Sequence, residues 1–322
     1  FLSDTVNLDP EKTKKARGSR EWLVGQIETF PDGDVKFPSI YSEKNIFYGS
    51  FSRRTKKRPL DDIDIMICMK ADDCTYFELF DKIEISVPDT ATRFKDYVNE
   101  GTSILNSRKI INAFIAKLAG VPQYRKAEIK RNLEAATLNL ESYDWVFDIV
   151  PCFITKEDAF NRTYYIIPDG RANWKKTDPR LDSDRVIRIN KAHEGNVLNV
   201  IRTIKYWNNR ATMPTISSYL LENMILDYYE EQTTVASQYV DIEIVKVFND
   251  IHRRVYSTVN DPKNIQGNLN DLSIDEKNKI SEKAYQDYSR AYDARQLENV
   301  KNYKDSINKW IEIFGDKFPK YE

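Results

Sequence analysis

The sequence predicts an α+β fold, in which a mixed sheet with interspersed helices over residues 1–190 is followed by a helical lobe over 191–322. Three observations carry the prediction. Short strand-like runs bounded by turn residues recur between residues 45 and 150. Beyond residue 191 the apolar spacing turns helical almost throughout. Two of the strand-like runs, Asp62-Ile63-Asp64-Ile65-Met66-Ile67 and Trp145-Val146-Phe147-Asp148-Ile149-Val150, alternate carboxylates with apolar side chains, as a half-buried strand does.

Taken in order, the opening 30 residues have helical spacing, with Trp22, Leu23, Ile27 and Phe30 as an apolar stripe. Strands are expected at 45–48, 62–68, 83–87, 135–140 and 145–150. Thr102-Ser103 is read as the start of a helix with Ile104, Leu105, Ile111, Phe114, Ile115 and Leu118 on one face, stopped by Gly120 and Pro122. From 151 to 190 the chain reads as loop, punctuated by Pro151, Pro168, Gly170 and Pro179. Helical stripes follow at Val197, Val200, Ile201 and Ile204, at Leu220, Leu221, Met224, Ile225 and Tyr228, and at Ile242, Val245, Val247 and Phe248. The polar stretch from Asn260 to Asp271 reads as a loop, and Ser273-Ile274-Asp275-Glu276 is a capping box for a long closing helix. No internal repeat or low-complexity tract is evident.

The chemistry-bearing residues are concentrated. Asp62 and Asp64 project from one strand face while Ile63, Ile65 and Ile67 point to the other, and Asp148 can join them from a neighbouring strand. Carboxylates massed in this way repel each other unless cations neutralise them. Oxygen-loving Mg²⁺ is the natural cation, and two such ions can clamp both oxygens of an in-line phosphoryl displacement. Gly49 and Ser50 close the run Ile46-Phe47-Tyr48, where free backbone N–H groups and a hydroxyl can meet a phosphate and glycine permits close approach. Asp61 falls on the opposite face from the pair and is read as structural. Arg202 and Lys205 stand three apart on one helix face, and Arg202 is read as solvated. Arg53, Arg54, Lys56, Lys57 and Arg58 form a basic run, read as a solvated loop apart from Arg53 or Arg54 near the Gly-Ser turn. After Pro214 come Ser217 and Ser218, either of which can cap a helix or touch a phosphate, and Tyr219, which can stack on a base or join the core.

Gly49-Ser50-Phe51, Asp62-Ile63-Asp64 and Asp148-Ile149-Val150-Pro151, in this order, resemble the polymerase-β-like nucleotidyltransferases. More narrowly, with Ile201-Arg202-Thr203-Ile204-Lys205-Tyr206-Trp207, Ser217-Ser218-Tyr219-Leu220-Leu221-Glu222 and the closing Trp310, Ile313-Phe314-Gly315 and Phe318-Pro319, the chain resembles the cGAS/DncV-like branch, including the bacterial CD-NTases of CBASS antiphage signalling. The resemblance implies a catalytic core over 1–190, an oligoadenylate-synthase-like helical domain over 191–322, and a nucleotide cleft between them. It implies that Asp62, Asp64 and Asp148 hold two Mg²⁺ ions, which Mn²⁺ can replace. It also implies that Lys205 reaches the donor's β- and γ-phosphates, with Gly49, Ser50, Ser217, Ser218 and Tyr219 as further nucleotide contacts. The implied reaction joins ribonucleoside triphosphates, ATP or GTP favoured, through a 3′- or 2′-hydroxyl into a cyclic di- or trinucleotide that activates an antiphage effector. Accessory proteins and a bacterial cytoplasmic location belong to the same expectation.

Composition narrows the classes. With 49 basic and 50 acidic residues, the formal charge of −1 supplies no excess to hold a nucleic-acid backbone, so no obligatory nucleic acid is expected. Three cysteines without close pairing predict reduced thiols, and two histidines make a zinc site such as that of animal cGAS an unexpected feature. No apolar run is long enough to span a bilayer and no secretory pattern opens the chain, so no membrane partner is expected. The start at Phe1 in place of Met suggests that the natural N-terminus is not the one seen. Two other readings stand beside the cyclic-nucleotide one: transfer to RNA 3′-ends or another hydroxyl acceptor, and a non-catalytic nucleotide sensor, which the intact carboxylate trio disfavours.

Overall fold

A computed structural model describes all residues, Phe1–Glu322. The chain divides into two compact units: a sheet unit of Pro10–Ser52 and Leu60–Arg180, and a helical unit of Phe1–Asp9, Arg53–Pro59 and Leu181–Glu322. By packing, the division therefore falls ten residues before the expected one, and two short segments from the first part of the chain belong with the helices.

The sheet unit opens with α1 (Pro10–Glu28), whose Leu23 and Ile27 are buried as expected, while Trp22 turns outward at 40% exposure. Next come β1 (Ile46–Tyr48), the single turn α2 (Gly49–Ser52), β2 (Asp62–Cys68), β3 (Thr75–Glu78) and β4 (Ile83–Ser86). Helix α3 (Ser107–Ala119) starts later than expected. Its N-cap is Asn106, whose side chain accepts the N–H groups of Arg108 and Lys109 at 3.0 and 3.2 Å. Thr102 instead closes a turn on Asn99, so Ile104 and Leu105 precede the helix and do not share its face. The strands β5 (Glu128–Asn132), β6 (Ala135–Asn139) and β7 (Val146–Ile154) follow.

The expected loop at 151–190 is largely ordered structure. β7 runs on through Pro151, and β8 (Tyr165–Pro168) and β9 (Trp174–Thr177) extend the sheet, before α4 (Pro179–Ala192) begins. Prolines were read as breakers here, but Pro168 ends its strand and Pro179 opens its helix, where its ring suits the first turn. The sheet order is β1-β2-β7-β8-β9-β4-β3, with β6 also paired to β7 and β5 to β6. β2 and β7 run parallel and every other pairing is antiparallel, so the sheet is mixed as expected.

The helical unit contains α4 from Leu181 onward, α5 (Val197–Asn208), α6 (Ser218–Glu230), α7 (Val240–Arg254), α8 (Ile274–Asn299) and α9 (Tyr303–Phe314). Val197, Val200, Ile201 and Ile204 are all fully buried, in one core with Trp207, Leu221, Met224 and Phe248. On α7 it is Ile244, and not the expected Ile242, that is buried with Val247 and Phe248. The capping box of α8 forms as read: Glu276 accepts the Ser273 N–H at 2.8 Å and Ser273 Oγ accepts the Glu276 N–H at 3.3 Å. Two early segments are anchored by specific bonds within this unit. The Phe1 ring lies 4.8 Å from that of Phe318, and the Arg58 N–H donates to the Val6 carbonyl at 2.9 Å.

Candidate active site

The parallel pairing of β2 with β7 sets Asp64 directly beside Asp148. Because alternate residues share a face, Asp62 lies on that face too. All three are half-buried, while Ile63, Ile65, Phe147 and Ile149 are packed beneath the sheet. The flanking strands complete the surroundings: β1 places Tyr48 opposite Asp64, and β6 places Thr137 opposite Asp148. Thr137 Oγ1 donates to Asp148 Oδ1 at 2.8 Å, fixing that carboxylate. Neither neighbour was singled out from the sequence, since cross-strand register decides who stands beside an aspartate. Asp61 stays outside the strand, where its carbonyl accepts the Val146 N–H at 2.9 Å.

Gly49 has a more specific role than close approach to a phosphate. Its φ is +72°, and a Cβ there would lie 1.7 Å from Asp64 Oδ2. Only glycine lets the chain turn from β1 into α2 with the Asp64 carboxylate against its backbone. Ser50 is half-buried on the following turn, and Ser52 Oγ closes that turn by donating to the Phe47 carbonyl at 2.9 Å.

Burial raises the Asp148 pKa and the Asp62 charge raises it further, while the Thr137 hydrogen bond opposes both. The Tyr48 phenol is pushed well up by burial and by the charges of Asp64 and Asp148. No three His, Cys, Asp or Glu side chains converge tightly enough to cage an ion on their own. The shared face nonetheless fits Mg²⁺, which keeps several waters and takes one or two carboxylates together with substrate phosphates. A divalent cation would also relieve the repulsion that raises Asp148.

In the helical unit, Lys205 is 4% exposed and its ammonium is bonded to Glu222 of α6, itself 2% exposed. Arg53 Nε reaches Glu222 Oε1 at 2.8 Å and Thr55 Oγ1 reaches Oε2 at 2.8 Å. Burial alone would raise the Glu222 pKa, but Lys205 and Arg53 hold it down at about 2. Burial lowers that of Lys205, against the pull of Glu222. The cation expected at the donor phosphates is thus engaged inside this unit, and the sequence did not single out Glu222 as its partner. Ser217 is the N-cap of α6, its hydroxyl accepting the Leu220 N–H at 3.2 Å, and Ser218 is the exposed first residue of the helix. Tyr219 donates to Asp182 Oδ1 at 2.7 Å, and the Lys263 ammonium sits 4.4 Å from its ring centroid. Lys263 also bonds the Tyr219 hydroxyl, so the tyrosine is engaged through its Oη by Asp182 and Lys263.

No protein-family model matches the chain. Over 323 residues, 100% of this chain and 96% of the relative, it is 45% identical to a probable cyclic nucleotide synthase of Bacillus cereus strain VD146. It is 24% identical over 166 residues to a probable cyclic AMP-AMP-GMP nucleotide synthase of Salmonella paratyphi B, covering 48% of this chain and 42% of that protein. Among solved structures, CdnC of E. coli MS115-1 with ATP superimposes with a TM-score of 0.70 at 16% identity, covering 99% of this chain and 96% of that one. Escherichia coli DncV bound to 3′-deoxy GTP gives 0.66 at 13% identity, with 98% and 94% covered. At these identities the structural likeness is one of fold.

Proposed function

The chain belongs to the cyclic nucleotide synthases of the CD-NTase family, which are nucleotidyltransferases, and on that premise we propose that it joins ribonucleoside triphosphates, with ATP, GTP or both favoured, into a cyclic di- or trinucleotide. The observation that carries the reading is the shared face of Asp62, Asp64 and Asp148, with Asp64 seated against Gly49. In each transfer the acceptor's 3′- or 2′-hydroxyl oxygen bonds the α-phosphorus of a donor triphosphate as the bond to pyrophosphate breaks. Asp62 and Asp64 would hold two Mg²⁺ ions and Asp148 would complete the ligand set of one. Bound there, the ions neutralise phosphate charge and favour the ionised hydroxyl.

The residues around them set geometry. Thr137 keeps Asp148 in one orientation, and α2 offers the Ser50 hydroxyl to a phosphate. Ser218, exposed at the start of α6, would touch a phosphate in this reading, and Lys205 would do so only once its ammonium leaves Glu222. The names of the relatives and the ATP and 3′-deoxy GTP of the solved neighbours support purine donors. The same reading carries a diffusible product that activates an antiphage effector, accessory proteins as in the CdnC:HORMA-deltaN complex, and a bacterial cytoplasmic setting. No helix is long and apolar enough to cross a membrane.

The test is incubation with all four ribonucleoside triphosphates and Mg²⁺ or Mn²⁺, phosphatase treatment, and mass spectrometry. A phosphatase-resistant cyclic product, absent from Asp62→Asn/Asp64→Asn protein, is the expected result. Linear products alone, or pyrophosphate released only when RNA or another hydroxyl acceptor is added, would move the activity to that acceptor.

A further inference from the structure

Two arginines of the helical unit lie outside the chemistry described so far. Arg202 on α5 donates from Nη1 to the Arg54 carbonyl at 3.2 Å and from Nη2 to Asn199 Oδ1 at 2.7 Å. Its Nε is buried with no hydrogen-bond partner. The groups that meet this guanidinium are thus a carbonyl and an amide, neither of them charged. Burial lowers its pKa and the neighbouring Arg54 guanidinium lowers it further, so the two cations oppose each other. Elsewhere in the unit, Arg53, Arg185 and Arg254 each hold a carboxylate. An arginine left half-buried beside a second one, with a donor unsatisfied, is a costly arrangement unless an anion completes it.

Space for that anion is adjacent. A cavity of about 350 Å³ is lined by Arg53, Arg54, Lys191 and Leu198 among others, with Glu194 as the acid among its lining residues. Arg54 lines this cavity and its carbonyl accepts from Arg202 Nη1, so the Arg202 guanidinium adjoins a lining residue, one helical turn beyond Leu198 on α5. The volume lies at the lower end of the range for small-molecule sites, about 300–1,000 Å³. A guanidinium fork matches two oxygens of a phosphate, and phosphate is the anion such paired arginines commonly meet.

We propose that Arg54 and Arg202 bind a phosphate group of a polyphosphate ligand at this cavity. The site is built from the helical unit alone and does not rest on the reaction proposed above. The phosphate replaces cation–cation repulsion by attraction, which the solvated-face reading of Arg202 leaves out.

The experiment is calorimetric titration of sodium tripolyphosphate into the full chain, in metal-free buffer at low salt. Wild-type protein, Arg54→Gln, Arg202→Gln, the surface control Lys279→Gln, and Asp62→Asn/Asp64→Asn are compared. The expected result is saturable binding of one ligand per chain, weakened about tenfold or more by either arginine substitution, as the loss of a charge-assisted hydrogen bond implies. Lys279→Gln and the carboxylate variant should bind as wild type does. Should Arg202→Gln fail to fold, Arg54→Gln decides, because Arg54 is exposed. No saturable binding by wild type overturns the proposal, as does equal weakening by all three Gln substitutions. Loss of binding in the carboxylate variant also overturns it, by placing the ligand on the other unit.

Discussion

At Gly49 and Asp148, single atoms decide whether the carboxylate face is usable. Gly49→Ala places a methyl group where Asp64 Oδ2 now lies, at a φ that also disfavours an L side chain. It should lower turnover by about a hundredfold, because a displacement near 1 Å is enough for that. The left-handed backbone should cost about 1–2 kcal/mol in addition. Product assays and thermal melting measure the two separately. Asp148→Asn should abolish product while raising the melting temperature at neutral pH. The sign follows from the raised pKa: the folded protein holds this proton more tightly than the unfolded chain does. That contribution to stability is fully present below the ordinary aspartate value and is lost as pH rises through the folded one. Asparagine has no charge to desolvate and keeps an oxygen for Thr137, so the stability gain over wild type should shrink on acidification. A melting temperature unchanged at every pH would refute this account.

Among elements, α5, α6 and the Arg53–Pro59 segment are joined through one buried carboxylate. Glu222 accepts from Lys205, Arg53 and Thr55, and removing its charge leaves two buried cations unmatched. Glu222→Gln should therefore destabilise by about 3–5 kcal/mol, the usual range for breaking a buried pair from one side. Denaturant melts of the two proteins check the figure. Because the Glu222 pKa is depressed to about 2, its contribution is present above the ordinary glutamate value, near 4.3. It is lost as pH falls from there toward 2, so acid unfolding should set in over that window in wild type and be blunted in Glu222→Gln. On α8 the capping box is a local device, and Ser273→Ala should cost about 1 kcal/mol without touching product formation.

For the molecule as a whole, near-zero net charge predicts insensitivity to nucleic acid. Duplex DNA, duplex RNA or nuclease treatment should leave product yield unchanged at physiological salt, since 49 cations are matched by 50 anions. A severalfold rise on adding a duplex, with a steep salt dependence, would show that a local patch outweighs the total. The fold belongs to this scale as well. The sheet unit and the helical unit each hold a core of their own, and the chain enters the helical unit three times.

By itself the sequence determined the parts whose signals are local. The strand at 62–68, the helical stripe of Val197, Val200, Ile201 and Ile204, and the Ser273–Glu276 capping box all depend on periodicity or spacing within a few residues, and all appear in the structure as read. The carboxylates were legible for the same reason, because alternation alone puts Asp62 and Asp64 on one face. What tertiary structure decided is who meets whom at long range. Register between strands distant in sequence set Asp64 beside Asp148 and brought Thr137 to it. Pairing through β8 and β9 made strands of a stretch whose prolines read locally as loop. Burial matched Lys205 with Glu222 and left Arg202 without an acid. Local patterns report the period of an element, whereas the partner of a buried charge is chosen by packing that joins residues far apart in the chain.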